Sequence, residues 1–321
     1  MRSAKVAAAI VVMLLLSACG GAPAQTTPTT IAPPDPTSAF SDPTHAPLDL
    51  SEAPTAVIDP TPEAAVDFEN DLEEFDPDQF DRPTKIDNQW FPLQPGTQYV
   101  YEGITEEGSR RIPHSIVFSV TDLTKEIAGI RTVVAWILDY SDQELVEAEL
   151  AFYAQDNHGN VWFLGEYPEV YERGKLVEAP SWITGFKGAR AGIVMKAEPE
   201  VGLPSYSQGW GPAVNWTDRG QVVQTGQRTC VLVDCYENVL VTEEFSQSEP
   251  DAFQIKFYAP GVGNVRVGWR GADATREELE LVDLILLDPQ ALEEIRAGAL
   301  ELEKRAYEIS KEVYDQTPPA E

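Results

Sequence analysis

The sequence predicts a mainly β protein: a curved antiparallel sheet, either a half-barrel or barrel-like, with one C-terminal α-helix and a disordered tether before it. Three observations lead to this fold class. Short alternating apolar stretches recur between turn signals from about residue 99 to residue 287, with no helical pattern among them. After Asp288 the apolar period becomes that of a helix. Before residue 82 the chain is rich in Pro and acids and has no hydrophobic period.

These changes of pattern divide the 321 residues into five segments. We expect a signal peptide at 1–18, a tether at 19–81, the β domain at 82–287, the helix at 288–313 and a disordered tail at 314–321. The signal and the tether leave about 240 residues for folding, enough for one large all-β domain or two small ones.

The first segment has the layout of an export signal. A basic start with Arg2 and Lys5 precedes an apolar run at 6–16, which is too short for a stable membrane span. Leu-Ser-Ala directly before Cys19 resembles the lipobox of bacterial lipoproteins. The resemblance implies cleavage before Cys19, lipidation of that residue, and anchoring on the extracytoplasmic face of the cell membrane.

The tether contains ten of the twenty-five prolines between residues 20 and 66, which favours an extended, disordered chain. It is either a spacer of required length or a linker with no such requirement. At its end, 67–81 mixes acids with Phe68, Leu72, Phe75 and Phe80, so we expect these side chains to dock on the folded domain. A calcium loop would need a turn glycine, and this stretch has none.

The charge of −30 lies on both parts of the chain, with fourteen acids and no Lys or Arg in residues 20–81. Such a surface repels nucleic-acid phosphates and anionic lipid head groups. We therefore expect no nucleic-acid partner, and membrane contact through the lipid on Cys19 alone.

The β domain is predicted from a series of strands and turns. Alternating or apolar stretches occur at 99–103, 116–120, 130–138, 145–153 and 161–164, and again at 220–223, 236–245, 252–258, 264–269 and 277–287. Residues 155–160 give a strong hairpin signal. The glycine-rich stretch 180–216 has a poor strand pattern and is predicted to form long loops with embedded aromatic residues.

Two cysteines remain if Cys19 is lipidated. In an exported protein Cys230 and Cys235 favour a structural disulfide. Two buried free thiols or a redox pair are the alternatives, although the spacing is not that of Cys-x-x-Cys.

The final helix begins with Asp288 as a cap and Pro289 at the first helical position. Apolar residues then recur every three or four positions in one stripe. One interpretation is that this stripe packs across the domain's own sheet. The alternatives are that the helix mediates oligomerisation or projects into solvent.

Several stretches carry a more specific pattern: FPLQPGT at 91–97, YAQD at 153–156, GNVW at 159–162, YENVL at 236–240 and FYAPGVG at 257–263. Together they resemble a group of bacterial exported proteins, over about residues 86–286. The resemblance implies a curved antiparallel sheet similar to that of lipoprotein-localisation factors. It implies no catalytic residue, and it does not account for the cysteine pair or the final helix.

No motif in the chain predicts a reaction. The three histidines have no metal-ligand neighbours at usable spacing, and there is no serine-nucleophile or phosphate-loop motif. We therefore predict no metal, cofactor or catalytic residue. Trp182, Trp210 and Trp216 lie in the glycine-rich stretch, where they either contact a ligand or simply pack.

Three functions are consistent with these patterns. The first is a non-catalytic module that binds a hydrophobic ligand or a protein partner on the concave face of the sheet. The second is an enzyme that uses two carboxylates on extracellular glycans, for which the acids supply many candidates. The third is a spacer or assembly protein that acts through its C-terminal helix.

Overall fold

The computed structural model describes residues 67–321, and the predicted fold class is confirmed: one curved antiparallel sheet with a helix at its C-terminal end. The predicted signal peptide, Cys19 and the tether up to residue 66 lie outside the described residues. No helix in 67–321 combines the length and the apolar character that crossing a membrane requires.

Fifteen strands and two helices make up this part of the chain. The strands are β1 (Thr97–Glu107), β2 (Arg110–Ile127), β3 (Ile130–Ser141), β4 (Glu144–Gln155), β5 (Val161–Glu172), β6 (Lys175–Glu178), β7 (Trp182–Ile183), β8 (Arg190–Met195), β9 (Tyr206–Ser207), β10 (Gly209–Trp210), β11 (Arg219–Cys230), β12 (Cys235–Ser246), β13 (Glu249–Ala259), β14 (Gly263–Gly271) and β15 (Glu278–Leu286). The helices are α1 (Pro289–Ile309) and α2 (Lys311–Tyr314).

The sheet nearly closes on itself. Its strand order runs β10-β8-β5-β4-β3-β2-β1-β15-β14-β13-β12-β11-β9. The two ends of this order, β9 and β10, are separated in the chain by Gln208 alone. Ser207 pairs with Arg219 on one edge and Gly209 pairs with Ala191 on the other. Residues 206–210, the seam, therefore join both edges into a barrel-like sheet.

The seam requires a glycine on the neighbouring strand. A Cβ on Gly192 would lie 2.2 Å from the backbone nitrogen of Gly209 and 2.5 Å from the carbonyl oxygen of Ser207. No side chain fits at that distance, so β8 approaches the seam only because residue 192 lacks one. The prediction of long loops for 180–216 is therefore wrong, because this stretch holds the short strands that complete the sheet.

Strand alternation builds two cores, one on each face of the sheet. On β4, Ala151 and Tyr153 face the barrel interior, whereas Leu150 and Phe152 face outward. The outer core also contains Ala299 and Leu302 and so lies beneath α1. Both faces of β4 are thus buried, which is why its sequence is apolar almost throughout.

The helix packs on the outer face of the sheet, which is the first of the alternatives predicted from its apolar stripe. Asp288 caps it by accepting hydrogen bonds from the backbone nitrogens of Gln290 and Ala291, each at 2.9 Å. At the crossing point a Cβ on Gly298 would lie 2.4 Å from the indole ring of Trp136. Gly298 therefore permits the close approach of α1 to β3.

The C-terminal residues are folded, contrary to the predicted disordered tail at 314–321. The helix breaks at Ser310 and turns into α2. The buried ring of Tyr314 packs on Tyr167 and Tyr307, with ring centroids 5.3 and 5.2 Å away. The backbones of Glu321 and Thr124 exchange two hydrogen bonds of 2.9 Å. These few contacts have no periodic signature in the sequence, so the pattern could not reveal them.

Residues 67–81, here called the strap, belong to the folded domain rather than to the tether. Phe75 and Phe80 pack on Trp162, with ring centroids 5.4 and 6.2 Å away. The backbone nitrogen of Ser207 donates a 2.8 Å hydrogen bond to Glu73 Oε2. The predicted docking of the strap aromatics is observed, and the strap also covers the seam.

A disulfide joins Cys230 to Cys235 at the end of the β11–β12 hairpin. The four residues between the cysteines form the turn, and Leu232 at its tip is 62% exposed. The crosslink holds together a hairpin end that has little apolar packing of its own.

Candidate functional site

The interior of the barrel holds a cavity of about 230 Å³. It is lined by inward-facing residues of strands on both sides of the seam. Its apolar part consists mostly of large aromatic side chains: Phe91, Tyr99, Tyr101, Phe118, Tyr153, Phe163, Trp216 and Tyr258. The concave face of the sheet is therefore not filled by its own side chains, and the helix lies on the opposite face.

The cavity has an aromatic end and an acidic end, set by position along the strands. On β4, Glu147, Glu149 and Tyr153 share the inner face, and the seven residues from Glu147 to Tyr153 span roughly 20 Å. Glu147 lies opposite Asp139 on β3, and Tyr153 lies opposite Phe163 on β5. On adjacent strands, acidic side chains therefore lie next to acidic side chains, and aromatic rings lie next to aromatic rings.

Residues 86–93 line the aromatic end. Asn88 Oδ1 accepts hydrogen bonds from the backbone nitrogens of Trp90 and Phe91, at 2.8 and 3.0 Å. This turn directs the ring of Phe91 onto Tyr153 and Tyr258, at centroid distances of 5.5 and 6.3 Å. The start of the FPLQPGT stretch at 91–97 therefore supplies part of the cavity wall.

Seven carboxylates line the cavity, and we call them the acidic cluster: Asp139, Glu147, Glu149, Glu166, Asp218, Glu244 and Glu277. Two cations accompany them. Lys256 Nζ lies 2.5 Å from Glu244 Oε2. His114 Nε2 lies 3.0 Å from Glu277 Oε1 and 3.4 Å from Asp139 Oδ2. The acids outnumber the cations, so most of the cluster has no counter-charge of its own.

Burial shifts the pKa values of the cluster upward. It raises the pKa of Glu149 to about 7, with Lys256 opposing and Asp139 adding to the rise. The pKa values of Glu147 and Glu166 lie well above the usual range because burial and neighbouring carboxylates both disfavour the charged form. Burial, with Glu244 adding to it, raises the pKa of Asp218 to about 7. Several of these acids therefore bind protons near neutral pH.

His114 behaves in the opposite way to an ordinary buried histidine. Burial lowers its pKa, but Asp139 and Glu277 outweigh that effect and raise it to about 10. Lys256 is likewise held charged, since Glu244 outweighs the cost of burial and raises its pKa. Both cations are therefore charged at neutral pH and pair with acids that belong to the cluster.

Two carboxylate oxygens in the cavity wall have no hydrogen-bond partner among the described residues. They are Asp139 Oδ1 and Asp218 Oδ1, on residues that are only 7% and 9% exposed. A buried acceptor without a partner costs free energy, on the order of 1–3 kcal/mol. Both oxygens are therefore able to accept a hydrogen bond from a donor in the cavity.

The predicted tryptophan trio is only partly at this site. Trp216 lines the cavity, but Trp182 is buried behind it, with the two ring centroids 4.9 Å apart. Trp182 packs against Gly209 and Gly211, which have no side chains to displace it. Trp210 is half-buried on the edge strand β10 and does not line the cavity. Of the two alternatives left open for this trio, packing describes Trp182, and Trp216 is the one member that lines the cavity.

Sequence reasoning missed the acidic cluster and the inward tyrosines. A signal for them was present in β4, where Glu147, Glu149 and Tyr153 interrupt an apolar strand at every second position. Within residues 67–321 no group of three or more His, Cys, Asp or Glu side chains has the arrangement to hold a metal ion.

Three solved structures are similar to the chain at the level of the fold. A candidate exported protein with a YmcC-like fold from Bacteroides fragilis has a TM-score of 0.39 and 13% identity, covering 62% of this chain and 99% of its own. A candidate lipoprotein from Parabacteroides distasonis has a TM-score of 0.33 and 12% identity, with 62% and 100% covered. A β-barrel-like domain of unknown function from Brucella abortus has a TM-score of 0.35 and 10% identity, with 60% and 98% covered.

No protein-family model matches the sequence, and no curated protein matches it. The resemblance to lipoprotein-localisation factors therefore stays a prediction. At these identities and scores, the function has to be derived from the residues of this chain.

Proposed function

We propose that this protein is a cell-envelope lipoprotein whose barrel is a non-catalytic binding module for a small, largely hydrophobic ligand. The observation that carries the proposal is the cavity of about 230 Å³, lined by eight aromatic side chains and left empty by the helix. Concave, mostly apolar pockets with a few polar groups are typical of small-molecule sites. Covering aromatic surface with a ligand would stabilise the complex by roughly 25 cal/mol per Å² of apolar area removed from water.

Location forms a second part of the proposal. The lipid on Cys19 would anchor the protein to the extracytoplasmic face of the cell membrane, and the tether would connect the anchor to the barrel. Cys19→Ala would then move the protein from the membrane fraction to the soluble fraction of the same cells. A Cys230→Ala variant serves as the control, since it alters a cysteine without touching the anchor. Retention of Cys19→Ala in the membrane would contradict lipid anchoring.

Binding is tested by filling the cavity. Ile137 lines it from β3, so Ile137→Trp would occupy space that a ligand needs. The probe is 4-(4-fluorophenyl)butan-1-ol, followed by 19F NMR line broadening with the full chain in lipid nanodiscs, against empty nanodiscs. We expect broadening with the native chain and its loss with Ile137→Trp.

The matched control is Val177→Trp, which adds the same side chain on the exposed strand β6. It should broaden the probe signal as the native chain does. Equal broadening by both variants would place the probe outside the cavity and contradict the proposal. Native mass spectrometry of protein purified gently from its own membrane then distinguishes a small-molecule ligand from a protein partner.

One observation favours a second function, hydrolysis of a glycan. Glu149 and Glu166 are hydrogen-bonded to each other in the cavity, and their pKa values differ. Paired carboxyls of this kind serve as acid and base in glycosidases, although those pairs stand about 5 Å or more apart. Release of reducing ends from cell-wall glycan, lost in Glu166→Gln, would support this function. Without such release the binding function stands alone.

The third function, a spacer acting through the helix, gains no support from the contacts of α1. Ile295, Ala299 and Leu302 are buried against the domain's own sheet. The apolar stripe is therefore not available to a partner while the helix is docked.

A further inference from the structure

We propose that the ligand of the cavity is an amphiphilic cation: an organic ammonium group held by the acidic cluster, on an apolar body that packs against the aromatic end. This inference rests on the proposed binding function and names the chemistry of its ligand. It follows from the order of side chains along the barrel strands and from the unpaired acids of the acidic end.

Geometry sets the first requirement. Inner-face positions of β4 carry Glu147 and Glu149 at one end of the cavity and Tyr153 at the other. A ligand that spans the cavity therefore meets carboxylates with one part and rings with the other. A purely apolar ligand would bury the carboxylates without a partner, at a cost in free energy.

Charge sets the second requirement. Seven acids face the cavity, whereas Lys256 and His114 are already paired with Glu244, Glu277 and Asp139. An anionic ligand would add a further negative charge to the excess. An ammonium group supplies the counter-charge that Glu147, Glu149 and Glu166 lack.

The unpartnered oxygens are the independent observation that points to a ligand. Asp139 Oδ1 and Asp218 Oδ1 are buried in the cavity wall without a hydrogen-bond donor. An ammonium group has three N–H donors and no acceptor, so it suits these two unpartnered acceptors.

Proton release is a consequence of this site. Glu149 and Asp218 have pKa values of about 7, and an ammonium group beside them would favour their ionised forms. Lys256 and His114, which face them, are held charged, and the cavity tyrosines, with pKa values raised by burial, are held neutral. Burial also raises the pKa values of Asp139, Glu147 and Glu166, so the cation would favour proton release from these carboxyls in the same direction. Affinity for the cation should therefore rise with pH between 6 and 8.

Three matched probes test the proposal: 4-(4-fluorophenyl)butylamine, the corresponding alcohol, and 4-(4-fluorophenyl)butanoic acid. They share one apolar body and differ in charge. Affinities are measured by 19F NMR titration with the full chain in nanodiscs, with empty nanodiscs subtracted. At pH 8 we expect the ammonium to bind roughly tenfold or more tighter than the alcohol, and the carboxylate to bind most weakly. Both charged probes keep their charge between pH 6 and 8, so a pH trend in affinity reports the protein.

Glu149→Gln is the diagnostic variant and Glu144→Gln the matched control. Both remove one carboxylate from β4, but Glu144 is exposed at the strand end. The ammonium should lose several-fold in affinity with Glu149→Gln and none with Glu144→Gln, and with Glu149→Gln the alcohol should lose clearly less affinity than the ammonium does. A thermal melt of each variant verifies folding, and Glu166→Gln replaces Glu149→Gln if the latter does not fold.

Each outcome decides a separate point. If the alcohol binds and the ammonium binds no tighter, the cation proposal fails and the binding function survives. If the carboxylate binds tightest, the acidic cluster does not select the ligand. If none of the three probes binds in the cavity, both proposals fail together.

Discussion

Lys125 Nζ lies 2.8 Å from Glu303 Oε1 between the sheet and α1, and the two side chains are 0% and 6% exposed. Tyr307 Oη and the carbonyl oxygen of Pro318 lie within hydrogen-bond distance of the same ammonium group, at 3.1 and 2.7 Å. One buried cation therefore ties the barrel to the helix and to the last residues of the chain. The ordered C-terminus depends on this contact.

Removing one partner of this pair should be costly. Lys125→Met leaves the Glu303 carboxylate buried without its cation, and we expect a loss of about 3–5 kcal/mol in the free energy of unfolding. The double variant Lys125→Met/Glu303→Leu removes both charges and should recover much of that loss. Urea denaturation of both variants measures the difference. Equal stability of the single and double variants would mean that the buried charge is not the cause.

The seam should not tolerate a methyl group. Gly192→Ala would place a Cβ 2.2 Å from the nitrogen of Gly209, and we expect a loss of about 2–3 kcal/mol or more. Gly268→Ala is the matched control, since nothing lies within 4 Å of its Cβ position on β14. Gly268→Ala should change the free energy of unfolding by no more than about 1 kcal/mol. Similar melting temperatures for the two variants would contradict the close approach of β8 to the seam.

Stability should fall as pH rises from about 5 to about 8. The folded-state pKa of Glu149 and of Asp218 is about 7, above the unfolded values of about 4, so the folded state binds more protons across this window. Each proton lost with rising pH therefore favours unfolding, by on the order of 1–3 kcal/mol for a group of this kind. His114, with its pKa raised to about 10, contributes stability that is fully present below its unfolded pKa of about 6.5 and is lost progressively as pH rises from there through about 10, which adds to the same trend. The urea midpoint should be lower at pH 8 than at pH 5, and this difference should be smaller in Glu149→Gln.

The strap should detach when its aromatic contacts are removed. Phe75→Ala and Phe80→Ala together delete both rings that pack on Trp162, with an expected cost of about 2–4 kcal/mol. Limited proteolysis should then cut the chain between residues 67 and 81 faster than in the native protein. Leu176→Ala, on the exposed strand β6, controls for loss of an apolar side chain away from the strap.

The disulfide should contribute only modestly to the stability of the folded state. A closed loop of six residues is worth about 2 kcal/mol in the chain-entropy model, so Cys230→Ser/Cys235→Ser should lower stability by no more than that. Because the hairpin end lies away from the cavity lining, probe binding should stay unchanged in this variant. A larger loss of stability would mean that the hairpin end contributes to folding beyond the closure of this loop.

The strands of the barrel could be predicted because their turns and alternation are local. Residues 155–160 and the stretch before Tyr153 show this, since both the hairpin and β4 appear where the pattern placed them. The direction in which each strand faces could not be predicted. Both faces of β4 are covered, one by the barrel interior and one by the outer core, so hydrophobicity does not distinguish inside from outside.

Two features could not be predicted for a different physical reason: the seam, and which tryptophan lines the cavity. Strands β9 and β10 are two residues long, and two residues carry no period. Trp182 and Trp216 share the same glycine-rich context in the sequence, yet one lines the cavity and the other fills the core behind it. Their roles depend on which glycines leave room for each indole, a three-dimensional property of Gly209 and Gly211.

Closure of the sheet also bears on self-association. Exposed strand edges invite a second chain to add a strand, which is a route to aggregation. In residues 67–321 the seam hydrogen-bonds to β8 and β11, but β9 pairs with only Arg219 and Gly220 of the twelve residues of β11. The short strand β6, which lies off this path, is four residues long, fully exposed and charged at both ends by Lys175 and Glu178. The remainder of β11 therefore leaves a strand edge with which a second copy crowded on the same surface could pair.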